Sequence, residues 1–243
     1  MKVQRASFIV PAWNEELLLP RTLEAIHEAA RLAELSSHVV VADDASTDRT
    51  AEVAHAHGAE VVACDNRQIA GTRNAGARAS DGDLLFFVDA DTKVTPAAVS
   101  AAVEAINEGA TYGGADITWD GTIPMSTRVM LRATLFMYPL CKVASGAFLF
   151  CTKQAFDRVG GFDETIFATE EYYLSRKLAR VGRYVWLKHQ VITSGRRLRA
   201  HSMRELLRES VRMTLGGMQS LRSRARTRMW YEQRRDDPQP PSD

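Results

Sequence analysis

Two aspartates separated by one residue follow an apolar run near the middle of the 243-residue chain. The run, Leu84–Val88, is typical of a strand buried on both faces, and Asp89 and Asp91 come directly after it. In an extended segment, side chains two positions apart point to the same side, so the two carboxylates would lie together. Burying two anions side by side is unfavourable unless a cation or hydrogen-bond donors neutralise them. The spacing leaves two interpretations open: a solvated strand end, and a divalent-metal site with oxygen ligands.

Polar and aromatic side chains also follow two earlier predicted strands. Pro11 is expected to end the first strand, and Trp13 and Glu15 come after it, while Asp43 and Asp44 follow the second. Each group alone fits a capped turn. Ligands of open α/β sheets bind beyond the carboxyl ends of the strands, where all these groups would meet. Their coincidence at one sheet edge favours a ligand site.

The elements that position these groups alternate between strand and helix over the first 110 residues. We predict strands at 7–11, 38–42, 60–63 and 84–88, helices at 20–35, 46–57 and 96–109, and a partly helical segment at 66–80. Ser46 or Thr47 is expected to cap the second helix, and Thr95 the third, which Pro96 starts and Gly109 ends. Spacings near thirty residues indicate βαβ units with a parallel sheet.

After residue 110, strands and helices no longer alternate at this regular spacing. We predict strands at 111–119, 144–151 and 184–187 and helices at 125–140 and 170–181. From Ser202 an apolar stripe recurs every three or four residues on an Arg-rich helix. Its members are Met203, Leu207, Val211, Leu215 and Met218. The segment 201–235 is therefore predicted as a helical tail, and residues 236–243, with three prolines, as a disordered end.

The charge of the chain is unevenly distributed. Its net charge is +1, yet residues 196–235 contain twelve Arg against three Glu, while residues 1–195 contain 19 basic and 24 acidic residues. A basic tail can meet an anionic surface, and we favour phospholipid over nucleic acid. A solvated helix face with internal salt bridges is the alternative.

Composition and cysteine usage bound the compartment. Hydrophobic residues make up 45% of the chain and charged residues 25%, as in ordinary soluble proteins. The three cysteines have neither disulfide-framework nor zinc-site spacing, which favours a reducing compartment. The N-terminus does not match a signal peptide, and no window reaches the length of a membrane span. We expect a cytoplasmic protein, with peripheral contact at the inner face of the cell membrane left open.

Four motifs in order resemble the inverting glycosyltransferases of family 2, which have the GT-A fold. They read PAWNEE, VVVADDASTD, GTRNAGARASDGDLLFFVDADT, and GGFDE followed by EEYYL, and span residues 7–178. The resemblance implies an α/β fold with a Rossmann-like, mostly parallel sheet flanked by helices. Residues 1–110 would form its nucleotide-sugar-binding half, and residues 111–200 a mixed-sheet half that binds the acceptor and supplies a base. It also implies a nucleotide-diphospho-sugar donor, Mg²⁺ or Mn²⁺, and single displacement with inversion.

The resemblance also implies roles for individual residues around the donor. Pro11, Trp13 and Glu15 would line the nucleoside pocket. Asp44 would contact uracil and ribose, with Asp43 beside it. Arg73 would face the donor, Asp91 would hold the metal, and Asp89 would flank the sugar or metal. The paired aspartates favour a UDP-sugar. The sugar, the metal and the oligomeric state stay open, and the acceptor would be a glycan, a lipid or a small molecule.

The family's E-D-x-D segment, which carries the general base, corresponds to Glu170-Glu171-Tyr172-Tyr173. Glu171 stands at the position of the general base, with Glu170 beside it. The side chain of Glu171 is one methylene longer than that of the usual aspartate. Tyr173 replaces the second aspartate, a further departure. An acidic first turn that complements the helix dipole is the alternative interpretation.

The Q-x-x-R-W motif of processive members is absent, and TSGRR at residues 193–197 resembles the T-S-x-R-R of small non-processive members. We expect Arg196 or Arg197 to reach the diphosphate, because a guanidinium group matches phosphate oxygens. A structural carboxylate partner is the alternative role for either arginine.

Other enzyme classes fit the motifs less well. A haloacid-dehalogenase-type phosphatase carries its D-x-D-x-T on the first strand, whereas three predicted strands precede Asp89. A nucleotidyltransferase would need a Gly-rich basic loop after the first strand, and a dinucleotide oxidoreductase would need G-x-G-x-x-G there. The competing hypothesis is a non-catalytic sugar-nucleotide-binding or membrane-adaptor protein, motivated by Tyr173 and the basic tail.

Overall fold

The computed structural model of the chain describes residues 2–227, Tyr231 and residues 235–237. Within them lie eight strands: β1 Arg5–Ala12, β2 Ser36–Asp44, β3 Glu60–Cys64, β4 Leu84–Val88, β5 Thr92–Lys93, β6 Tyr112–Trp119, β7 Phe148–Thr152 and β8 Tyr184–Thr193. The helices described are α1 Leu19–Leu32, α2 Thr50–Ala56, α3 Ile69–Ala79, α4 Pro96–Asn107, α5 Met125–Cys141, α6 Lys153–Arg158, α7 Glu170–Leu178, α8 Arg196–Ala200 and α9 Met203–Leu221.

All eight strands form one sheet in the order β3-β2-β1-β4-β7-β6-β8-β5. β3, β2, β1 and β4 pair in parallel, as predicted for the first half of the chain. β7 runs antiparallel to both β4 and β6, and β8 runs parallel to β6. The prediction of a mostly parallel sheet continued by a mixed second half is confirmed.

β4 lies at the centre of the core, and all five of its residues are buried. Because strand side chains alternate, Phe86 and Phe87 face opposite sides of the sheet. Phe86 stacks on Phe8 with ring centroids 4.7 Å apart, whereas Phe87 meets Phe162 edge-on at 5.0 Å. Residues of α1 and α4 share the Phe86 side of the core and residues of α3 and α7 share the Phe87 side, so helices cover both faces of β4.

The prediction that Pro11 ends the first strand is wrong. β1 continues to Ala12, and Pro11 lies opposite Ala42 of β2. On its other side β1 pairs with β4 only as far as Ile9. Pro11 therefore lies where one side of the strand is unpaired, which a residue without an N–H tolerates.

The predicted capping of the second helix is also wrong. α2 begins at Thr50, with no side-chain cap from the preceding Arg49. Ser46 and Thr47 instead bond to Asn14, whose backbone N–H donates to Ser46 Oγ at 2.9 Å and whose Oδ1 accepts from the Thr47 N–H at 2.7 Å. By contrast, Thr95 caps α4 as predicted, since its Oγ accepts from the Ala98 N–H at 3.2 Å.

Two strand boundaries differ from the prediction in ways that shape the site. The strand predicted from residue 144 begins at Phe148, because Ser145 and Gly146 form a turn before it. The strand predicted to end at residue 187 continues to Thr193 beyond a bulge. Thr193 then pairs with Thr92 of β5, which brings the segment 193–197 beside Asp91.

The C-terminal tail begins with α9, as the apolar stripe predicted. Its Leu207, Val211 and Leu215 are exposed to solvent. In the described part of the chain, no helix has the length and apolar character needed to cross a membrane. Of the predicted disordered end, residues 238–243 lie outside the described residues, whereas Asp236 and Asp237 form ion pairs with Arg199 and Arg196.

Candidate active site

A cavity of about 430 Å³ opens at the carboxyl ends of β1, β2 and β4. Its second wall comes from α5, from the turn before β7, and from the segment that follows β8. The sequence-predicted residues that line it are Pro11, Trp13, Glu15, Asp44, Arg73, Asp89, Asp91, Glu170, Glu171, Arg196 and Arg197. Residues separated by up to 186 positions therefore share one cavity.

Asp43 does not line the cavity. Adjacent residues of a strand point to opposite faces, so Asp43 and Asp44 of β2 are directed apart. Asp43 Oδ1 accepts the Ser46 N–H at 3.2 Å. Asp44 is buried, and its carboxylate accepts the backbone N–H groups of residues 66, 67 and 68 at 2.8–3.1 Å. Asp44 thus holds the loop before α3 while it contributes to the cavity wall.

Arg73 of α3 links two acidic residues of the cavity and is only 2% exposed. Its Nη2 donates to Asp89 Oδ1 at 2.8 Å and to the Gly146 carbonyl at 3.2 Å, and its Nη1 donates to Glu170. A Cβ on Gly146 would lie 2.9 Å from Arg73 Nη2, so the glycine permits this approach. The guanidinium, predicted to face the donor, is thus engaged by two carboxylates.

Burial shifts the pKa values of these groups. It raises the pKa of Asp89, against the opposing effect of the Arg73 charge. Burial and the adjacent Glu170 carboxylate raise the pKa of Glu171 to about 8, although Arg73 opposes the shift. Glu171, in the first turn of α7, is thus a carboxylate whose proton affinity suits a general base near neutral pH.

Arg196 connects Asp91 to Glu15. Its Nη2 lies 2.6 Å from Glu15 Oε1 and 3.2 Å from Asp91 Oδ2. Thr193 Oγ1 donates to the other Asp91 oxygen at 3.3 Å. Burial raises the pKa of Glu15 despite the opposing charges of Arg196 and Arg235. Two roles were predicted for Arg196, a contact with the diphosphate and a pairing with a structural carboxylate. The observed contacts match the second role.

The C-terminal residues enter the same cavity, which the sequence analysis did not anticipate. Arg235 lies 5.8 Å from the centre of the Trp13 ring, and its Nη1 is 2.6 Å from Glu15 Oε1. Asp237 Oδ1 is 2.7 Å from Arg196 Nη1. Tyr231 also lines the cavity, and its hydroxyl donates to the Phe167 carbonyl at 2.8 Å. The arginine-rich sequence does not indicate which of its arginines packs into the cavity. Arg235 lies 220 positions along the chain from its partner Glu15.

The α5 wall was missed as well. Four of its residues line the cavity: Leu131, Thr134, Leu135 and Tyr138. Their spacing of three and four places them on one helical face, so a search for such a face in residues 125–140 would have found them.

The carboxylates of the cavity suit a hard divalent cation. Asp89 and Asp91 place carboxylate oxygens at its edge. No group of three or more metal-binding side chains occurs among the described residues. Mg²⁺ and similar ions are commonly held by one or two carboxylates together with substrate phosphates. The residues present therefore fit a metal that binds together with a diphosphate.

The geometry of the cavity agrees with the similarity of this chain to known proteins. Residues 7–149 match the family described as Glycosyl transferase family 2. The chain belongs to this family. The match covers more than half of the chain and includes most of β1 and all of β2 to β6.

Named relatives match over shorter stretches. An undecaprenyl-phosphate 4-deoxy-4-formamido-L-arabinose transferase of Proteus mirabilis is 30% identical over 115 residues, 44% of this chain and 35% of that protein. A 4,4'-diaponeurosporenoate glycosyltransferase of Staphylococcus haemolyticus is 37% identical over 98 residues, 37% of this chain and 25% of that protein. The matched stretch spans about a third or less of these relatives' length.

Solved structures share the fold. A mannosyltransferase of Pyrobaculum calidifontis in complex with GDP-Man and Mn²⁺ superposes with a TM-score of 0.67 at 17% identity, over 94% of this chain and 65% of that one. S. aureus TarS in complex with UDP-GlcNAc gives 0.63 at 17% identity, over 79% of this chain and 58% of that one. The architecture is the GT-A fold of glycosyltransferases, as the sequence motifs predicted.

Proposed function

We propose that this protein is an inverting glycosyltransferase that moves a sugar from a nucleotide-diphospho-sugar to an acceptor hydroxyl. One observation carries the proposal: Glu171 lines the same cavity as Trp13 and Asp91. A stacking platform, an anionic metal site and a base are the three parts that such a transfer needs, and the candidates for them lie just after β1, just after β4 and in α7.

The donor lies along the carboxyl edge of the sheet. Its nucleobase stacks on Trp13, and its diphosphate meets Arg196 and Arg197. Asp91 would hold Mg²⁺ or Mn²⁺, with Asp89 beside it, and such an ion would supply positive charge for the departing diphosphate. Both structural neighbours bind a nucleotide sugar, one a UDP-sugar and one a GDP-sugar. We favour a UDP-sugar.

Glu171 removes the proton from the acceptor hydroxyl. The hydroxyl oxygen then bonds to the anomeric carbon on the face opposite the diphosphate, the bond to the diphosphate breaks, and the configuration inverts. The raised pKa of Glu171 suits this step, because the carboxyl group can keep the proton after transfer. Arg73 and Glu170 position the turn that carries the base.

The proposed base also indicates which chemical group of the acceptor reacts. A phosphate oxygen is already ionised near neutral pH and needs little help from a base, whereas an alcohol needs its proton removed. A half-buried glutamate with a pKa of about 8 therefore favours a hydroxyl acceptor. Relatives named as undecaprenyl-phosphate transferases support an acceptor carried on a lipid.

Turnover tests the proposal. The protein, mixed with UDP-sugars, Mn²⁺ and an extract that contains acceptors, is expected to release UDP. Asp91→Ala should stop the release, whereas Asp43→Ala, at the end of β2 but outside the cavity, should leave most of it. Donor binding without UDP release would contradict the proposal and favour a non-catalytic sugar-nucleotide-binding or adaptor protein.

A further inference from the structure

The outer face of α5 carries large apolar side chains that the described residues leave uncovered. Met125, Val129, Phe136, Met137 and Leu140 are between 49 and 70% exposed. The buried positions described in this seventeen-residue helix are Thr127 and Leu135. An amphipathic helix of a globular protein normally turns its apolar stripe towards the core. Within the described part of the chain, much of the apolar surface of α5 stays uncovered, so a partner could contact it.

The exposed residues form one stripe. At 100° per residue, Met125, Val129, Phe136 and Leu140 fall within an arc of about 60° on the helix surface. The opposite side of the helix faces the cavity through Leu131, Thr134, Leu135 and Tyr138. A helix with its side chains is about 10 Å across. α5 is therefore a wall one helix thick between the candidate active site and an apolar outer surface.

Charge indicates what covers this stripe. The segment Met125–Cys141 contains no acidic residue and two arginines. Arg128 and Arg132 are both exposed, and Arg132 pairs with Asp116 at 3.2 Å. Two copies of α5 packed stripe to stripe would bring four arginines together without an acidic partner from either helix. An anionic bilayer offers hydrocarbon to the stripe and phosphate groups to the arginines.

We propose that the outer stripe of α5 rests on an anionic lipid bilayer and that the acceptor is a membrane lipid bearing a hydroxyl group. The part that concerns the acceptor rests on the function proposed above. With α5 at the bilayer surface, the cavity lies one helix diameter from the lipid headgroups, within reach of a headgroup that remains anchored. This surface of α5 is distinct from the apolar stripe of the Arg-rich helix α9.

Vesicle flotation tests the surface. The wild-type protein is expected to float with phosphatidylcholine vesicles that contain phosphatidylglycerol, and more weakly with phosphatidylcholine alone. Phe136→Asp combined with Leu140→Asp places two carboxylates on the stripe and should reduce binding to the anionic vesicles by about tenfold or more. Neither residue lines the cavity, so UDP affinity in solution should not change.

Leu32→Asp is the matched control, because Leu32 is an exposed leucine at the end of α1. It should float like the wild type. A second variant, Met125→Asp, tests the other end of the stripe if the double variant has a lower melting temperature. Wild-type protein that does not float, or stripe variants that float like Leu32→Asp, would overturn the proposal. So would a wild-type dimer in solution that the stripe variants convert to a monomer.

The test is separate from that of the proposed function. If the catalytic proposal fails while α5 binds the bilayer, the wild type floats but releases no UDP from any donor. If only the bilayer proposal fails, UDP is released with acceptors, and the stripe variants transfer sugar to vesicle-borne acceptor as fast as the wild type. If both hold, the stripe variants lose transfer to vesicle-borne acceptor and keep their UDP affinity.

Discussion

At the scale of single residues, the proposed chemistry depends on Glu171, which lies near the carboxylates of Glu170 and Asp89 in the cavity wall. Three carboxylates so close together are tolerated because Arg73 contacts two of them directly. Burial and the Glu170 carboxylate raise the pKa of Glu171 to about 8, while the Arg73 charge opposes this shift. The neighbours of the proposed base therefore set its pKa.

Glu171→Gln is expected to lower kcat by about 10²–10⁴-fold, because it removes a general base and changes little else. UDP affinity, measured by calorimetry, should stay within the wild-type range. Glu24→Gln, an exposed substitution on α1, is the control and should leave kcat unchanged. An unaltered kcat in Glu171→Gln would assign the base to another group.

The pH dependence has a definite sign. A base acts in its deprotonated form, which for Glu171 predominates above a pH of about 8. The value of kcat/KM, which reports the free enzyme, should therefore rise about tenfold per pH unit below this pH and level off above it. A profile that is flat from about pH 6 to 9 would contradict the raised pKa or the role of Glu171.

At the scale of elements, Arg73 joins α3 to the end of β4 and to the start of α7. Arg73→Gln leaves Glu170 and Asp89 without their cation and is expected to destabilise the protein by about 3–5 kcal/mol. Arg78→Gln, on the same helix with a side chain 68% exposed, should change stability by no more than about 0.5 kcal/mol. Chemical denaturation measures both, and equal stabilities would show that the buried pairs contribute nothing.

The elements were largely predictable from the sequence, because their cause is local. The apolar run of β4, the Thr95 cap and the strand–helix spacing depend on neighbours in the chain, and the structure agrees with them. Pro11 was misjudged because its tolerance depends on where β4 stops pairing with β1. The cap of α2 was misjudged because Asn14, on another loop, competes for Ser46 and Thr47.

The site was predictable only in part for the same reason. Sequence motifs identified the acidic residues of the cavity wall but did not indicate their partners. That Asp43 and Asp44 point to opposite faces follows from strand geometry and could have been inferred. That Arg73 contacts acids on β4 and α7, or that Arg235 lies beside Trp13, depends on tertiary packing that no local pattern encodes.

At the scale of the whole molecule, residues near the C-terminus pack against the candidate donor site. Residues 235–237 contact groups that we assign to donor binding, with Arg235 beside Trp13 and Asp237 on Arg196. A carboxylate on Arg196 occupies a position suited to a phosphate group. Donor and C-terminal residues should therefore compete for Arg196.

Asp237→Asn is expected to strengthen UDP binding by about 2–5-fold, since a partly exposed ion pair contributes up to about 1 kcal/mol. Asp236→Asn is the control, because Asp236 pairs with Arg199, which does not line the cavity. Calorimetry with UDP and Mn²⁺ measures both affinities. Equal affinities in the two variants would mean that Asp237 does not oppose the donor.

The most direct test of the central claim is a thermal-shift panel of nucleotide sugars. A donor that binds only the folded protein raises the melting temperature, at about one hundred times its Kd by roughly 5–10 °C for a chain of this size. We predict such a shift with at least one UDP-sugar in Mn²⁺, reduced by EDTA and lost in Asp91→Ala. Melting temperatures that no UDP- or GDP-sugar changes, with or without Mn²⁺, would contradict the assignment of this cavity as a donor site.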